Sequence, residues 1–111
     1  MLPQFMILLY EREVPDTIAA ASPALLQAYM SLPRQIAETG GRFVSGHAVQ
    51  SAGSGVSIRG NEVVGGSLAG EAGQFAGYLI VEASDFDHAV WIGRMVPVAD
   101  GWVEVRPLVT S

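Results

Sequence analysis

Histidine is the side chain best suited to moving protons near neutral pH, and this chain has two, His47 and His88. His47 lies mid-chain between the small residues Gly46 and Ala48, on a strand-like segment. It reads either as a general acid or base or as a sheet-face histidine satisfied by one hydrogen bond. His88 follows Asp87 on a helical segment. Consecutive helix residues do not face one another, so it reads as a surface residue. Glu104 and Arg106 stand two apart on a final strand and share a face. Either Arg106 holds an anionic ligand group, or the two form a salt bridge at a sheet edge or dimer interface. Between Gly65 and Gly77 the polar side chains are Glu71, Ser67 and Gln74. Glu71 is the candidate acid or base there, and Ser67 a candidate ligand contact. Tyr10 and Tyr78, on central strands, either aim hydroxyls into a cavity or pack in the core.

Other chemistries find little support. The chain has no cysteine, which leaves no thiol nucleophile, disulfide or thiolate metal site. Two histidines on separate elements and no clustered carboxylates make a poor metal-ligand set. The net charge is −5, and all six basic residues are arginines, scattered at 12, 34, 42, 59, 94 and 106. No basic stripe awaits a nucleic acid. The glycines between Gly60 and Gly77 lack the Gly-Lys-Ser/Thr of a phosphate loop and the dinucleotide fingerprint, although their backbone N–H groups can still form an anion nest. No cofactor is expected. The apolar run Phe5–Tyr10 is too short to span a bilayer and lacks the features of a signal peptide, so the chain reads as a soluble cytoplasmic protein that does not engage membranes.

The elements that must position these residues follow from periodicity. Gln4–Tyr10 is a continuous apolar run, expected as a central strand. Ser22-Pro23 supplies a helix cap and a proline at the first helical position. Leu25, Leu26, Tyr29, Leu32 and Ile36 then recur at helical spacing over Pro23–Glu38, with a kink expected before Pro33 and a stop at Gly40-Gly41. Arg42–Gln50 reads as a strand with Phe43, Ser45, His47 and Val49 on one face. Val56–Arg59 and Glu62–Val64 read as a hairpin joined through Gly60-Asn61. Gln74–Glu82 is a further strand, Asp85–Met95 a helix burying Phe86, Ala89, Val90 and Met95, and Gly101–Pro107 a closing strand.

The order β-α-β-hairpin-β-α-β over 111 residues predicts one α+β domain, a ferredoxin-like split βαβ unit with an antiparallel sheet and two helices on one face. Half the residues are hydrophobic and 15% are charged. With one sheet face left uncovered, a homodimer formed through those faces is expected.

Several strings in this order resemble the YCII-related family in its DGPF-domain branch: MILLY at 6–10, GGRFVSGHAVQ after the first helix, GYLIVEASDFDHAVWIGRMVP at 77–97, and EVRP at 104–107. The resemblance covers nearly the whole chain. It implies a dimeric α+β barrel that binds a small molecule, with cofactor-free elimination or isomerisation as the expected chemistry. The name-giving Asp-Gly-Pro-Phe falls on Gly65-Gly66-Ser67-Leu68, where only the second glycine is retained. A non-enzymatic binding or regulatory module that has lost the acidic residue is therefore the alternative. The resemblance further implies that an arginine at 106 would pair with that aspartate, which leaves Arg106 with Glu71, Glu82 or Glu104.

Overall fold

A computed structural model describes residues 2–17, 21–69 and 72–110. Its elements are β1 (Gln4–Glu11), α1 (Pro23–Glu38), β2 (Arg42–Ala48), β3 (Val56–Arg59), β4 (Glu62–Gly65), β5 (Gln74–Glu82), α2 (Phe86–Met95) and β6 (Gly101–Pro107). Strands β2-β5-β1-β6 form one sheet in that order, and all three pairings are antiparallel. This is the ferredoxin-like α+β arrangement expected from the element order. Strands β3 and β4 form a separate two-stranded ribbon. Its tight turn places Gly60 at φ +61, a conformation that suits a two-residue hairpin.

Alternation along β1 and β5 fixes which sheet face is buried. Phe5, Ile7, Leu9, Leu79 and Val81 are buried with Leu32 and Ile36 of α1 and Ala89 and Ile92 of α2. Each fully buried aliphatic side chain contributes roughly 1.5–3 kcal/mol by leaving water. Ser22 caps α1, its Oγ accepting from the Leu25 N–H at 3.5 Å, and the helix runs unbroken through Pro33. It ends at Thr39, after which Gly40 takes φ +87. A Cβ on the next residue, Gly41, would stand 2.8 Å from the Glu82 carbonyl oxygen and 2.9 Å from Ile92 Cδ1. The first glycine stops the helix, and the second lets β2 start hard against β5 and α2.

Three local readings are corrected. The β2–β5 register shifts between Phe43 and Ser45, so Ser45 pairs with Ile80 and His47 with Tyr78. This bulge puts Phe43 on the helix-covered face and Ser45 and His47 on the open one, against the single face expected from alternation. Strand β2 also ends at Ala48, before Val49 and Gln50. In α2, Phe86 is 47% exposed and meets Phe5 only at a 6.2 Å ring separation. The buried positions are Ala89, Ile92 and Gly93. Asp85 is the cap, its carboxylate accepting from the His88 N–H.

His88 is half-buried, and its ring is engaged rather than free. The Ser84 N–H donates to its Nδ1 at 2.9 Å, while Nε2 lies 2.9 Å from Thr39 Oγ1. Since Thr39 Oγ1 already donates to the Ile36 carbonyl, it accepts from His88. The ring therefore ties the end of α1 to the start of α2.

Candidate functional site

Buried positions of α1 are confined to its C-terminal half, at Leu32 and Ile36. Toward its N-terminus, Leu25, Leu26 and Tyr29 are only half-buried, and the helix stands away from the sheet. The gap is a cleft of about 890 Å³ between α1, the sheet and the segment after β1. Its apolar wall includes Leu9, Leu26, Phe43, Ala76 and Leu79. The volume lies in the range of small-molecule sites, and so does the apolar lining with few polar groups.

The segment that follows β1 is held over the cleft by specific bonds. The Asp16 carboxylate accepts from the Ser51 N–H at 2.9 Å, which keeps it below its ordinary pKa. The Gln50 side-chain amide donates to the Asp16 carbonyl, and that of Gln74 to the Arg12 carbonyl. Arg12 pairs with Asp100 at 2.9 Å, with both side chains largely exposed at the cleft mouth.

Two polar side chains stand inside. Glu11 is 8% exposed, and its two carboxylate oxygens accept from the Ala99 and Asp100 N–H groups, each at 2.8 Å. Tyr29 donates its hydroxyl to the Pro97 carbonyl at 2.6 Å. Burial, aided by the Glu11 charge, pushes the Tyr29 phenol from its ordinary value of 10.0 up to about 12. A raised phenol pKa favours the folded state below the unfolded value and loses that contribution as pH rises through the folded one. Stability should therefore fall between about 10 and 12 through this group. Tyr29→Phe should remove that part of the alkaline loss and one phenolate from the ultraviolet titration. An unchanged alkaline limb would show the hydroxyl to be freely solvated.

The residues singled out in the sequence divide between places. His47 and Tyr78 reach the cleft edge by position only, since their side chains lie on the open face, where His47 Nδ1 is 3.1 Å from the Tyr78 hydroxyl. Tyr10 is not part of the cleft lining. It faces away on the open face, stacked on Trp102 at 5.2 Å and meeting Phe75 edge-on at 5.8 Å. Arg106 pairs with Glu104 at 2.9 Å on the same open face. It lies three strand spacings from His47, about 14 Å across the sheet, and two residues further along. Arg106 and His47 are thus not brought together, and the Arg106 partner is Glu104. Glu82, the other strand partner considered, holds Arg42 instead through two bonds of 2.9 and 3.0 Å. Those bonds keep its carboxyl below the ordinary range. Ser67 accepts from the Ala69 N–H in the loop after β4, away from the cleft lining. Glu71 lies outside the described residues. Among the described residues no group of three or more acidic, histidine or cysteine side chains is placed to hold a metal ion. No described helix is long and apolar enough to cross a membrane.

Sequence reasoning missed Glu11 and Tyr29 as site residues. The signal for Glu11 was present, since it continues the inward series Phe5, Ile7, Leu9 by one more step of two.

Residues 4–110 match the family model of the YCII-related domain, and the chain belongs to that family. A comparison with curated proteins finds no match.

Proposed function

We propose that this YCII-related domain protein is a homodimer that binds a small, largely apolar molecule in the cleft between α1 and the sheet. The observation that carries the reading is the cleft itself, about 890 Å³ with Leu, Phe and Ala walls and polar groups confined to a few positions. An apolar gap of this size is costly to leave to water, and a ligand of matching shape offsets that cost. Binding without catalysis fits the surroundings of His47, whose ring partner is a tyrosine hydroxyl rather than a carboxylate or arginine. The Gly65-Gly66-Ser67-Leu68 string, which supplies no carboxylate, favours the same reading.

Cofactor-free proton transfer of the lyase or isomerase kind is the second reading. The His47–Tyr78 hydrogen bond on the open face favours it, because an imidazole with one nitrogen engaged leaves the other to take or give a proton. Glu71, the second residue expected to move protons, lies outside the described residues, and Ser67 lies away from the cleft, while Tyr10 and Arg106 would serve the face between subunits.

Dimerisation is supported by surface and shape. The chain exposes 7400 Å², roughly a quarter more than the about 5,900 Å² expected for a monomer of its mass. Its radius of gyration of 15.1 Å likewise exceeds the about 13 Å of a compact domain of this length. The open sheet face carries Met6, Leu8, Tyr10, Ile80 and Trp102, and the β3–β4 ribbon exposes Val56, Ile58 and Val63. A second copy covering this face would build a barrel.

The binding reading is tested with a fragment collection read by thermal unfolding. Ligands present at about a hundred times their Kd should stabilise the parent by about 2.7 kcal/mol. Leu26→Trp fills the cleft without crowding the packed core and should weaken those hits by about tenfold or more. Hits that survive Leu26→Trp undiminished would remove the cleft from the account.

A further inference from the structure

The charges on the cleft are unbalanced. Glu11, Glu13 and Asp100 line it, with Arg12 as the arginine among its lining residues. Arg12 is already engaged by Asp100, and Arg106, the residue first considered for an anionic group, points from the opposite face. Glu11 is the deepest of these charges and the least exposed. A carboxylate offers about four lone-pair positions, and the Ala99 and Asp100 N–H groups occupy two. The other lone pairs remain for a donor. Tyr29 adds a hydroxyl that donates to Pro97 and can still accept, with its ring set among the apolar walls. The described residues around Glu11 provide no cation free to meet its charge, apart from the Arg12 guanidinium held at the mouth.

We propose that the cleft selects an organic cation, an amine whose ammonium donates to Glu11 and Tyr29 while its apolar body lies against Leu9, Leu26, Phe43 and Leu79. This rests on the reading of the cleft as the ligand site and adds the charge of what enters it. A carboxylate-bearing molecule would set like charge against Glu11 in a site of low polarity, whereas an ammonium forms charge-assisted hydrogen bonds there. The face of Tyr29 or Phe43 can add a cation–π contact.

The test uses the intact chain and three probes that share one body: 2-phenylethylamine, 2-phenylethanol and phenylacetate. Binding is followed by amide chemical shifts of Leu9, Ala76 and Asp100 near neutral pH and low salt. The amine should bind about tenfold or more tightly than the alcohol, with phenylacetate weakest. Glu11→Gln should erase most of the amine's advantage over the alcohol and leave alcohol binding nearly unchanged. If the alcohol or phenylacetate binds as well as the amine, the charge preference is wrong and the cleft stands as a ligand site. If none of the three shifts these amides, the cleft reading itself fails. Should Glu11→Gln not fold, the ranking of the three probes on the parent still decides.

Discussion

Glu11→Ala should lower the free energy of unfolding by about 2–4 kcal/mol, a large effect for one residue near a strand end. Each oxygen of the Glu11 carboxylate receives one backbone N–H, from Ala99 and from Asp100. Hydrogen bonds to a charged group contribute about 1.5–3 kcal/mol each, and alanine leaves both donors in partly buried surroundings without an acceptor. The consequence is also topological. These donors belong to the turn that carries the chain from α2 into β6, where Gly101 pairs with Glu11. Releasing the turn frees the end of β6 and lifts Pro97 from the Tyr29 hydroxyl. Denaturant titration measures the loss, and amide exchange should show it concentrated in residues 97–103. A change below about 0.5 kcal/mol, the range of ordinary surface substitutions, would mean that the turn holds itself.

Leu8→Arg should convert the proposed dimer to monomer, raising its dissociation constant about a thousandfold or more. Leu8 lies at the middle of the open face, paired with Tyr78 on one side and Glu104 on the other. In a dimer closed through these faces, each copy would bury a guanidinium whose neighbouring carboxylate, Glu104, is already engaged by Arg106. That costs several kcal/mol per charge, and both copies contribute. Folding should be spared, because the buried residues of β1 are Phe5, Ile7, Leu9 and Glu11 on the opposite face. Sedimentation equilibrium at micromolar concentration should give twice the 11.7 kDa chain mass for the parent and the single mass for the variant. A parent that sediments at the single mass would refute the sheet-face dimer.

The path of the backbone was legible because its signals are local. A continuous apolar run marked Gln4–Tyr10, Ser22-Pro23 marked the start of α1, and Gly40-Gly41 marked its end. Properties set by distant partners were not legible. The bulge in β2 lies between Phe43 and Ser45, and it puts Phe43 and His47, expected on one face, on opposite faces. His88 looked exposed because Thr39, which accepts from its ring, stands 49 residues away in the chain. Tyr10, Tyr78, His47 and Arg106 were selected for reactive side chains, yet the sheet register spreads them across the open face. The cleft depends on how far the N-terminal half of α1 stands from the sheet. No spacing of residues encodes that distance. Glu11 was overlooked for another reason: a charge at the end of an apolar run reads as the strand leaving the core, whereas here the core side supplies two N–H donors to receive it.

Amide chemical-shift mapping of small apolar fragments on the parent protein tests the ligand site most directly. Perturbations should gather on Leu9, Leu26, Tyr29, Phe43 and Leu79, which line the cleft from four elements. Shifts confined to Tyr10, Trp102 and Arg106 on the open face, or no binding by any fragment, would contradict the account.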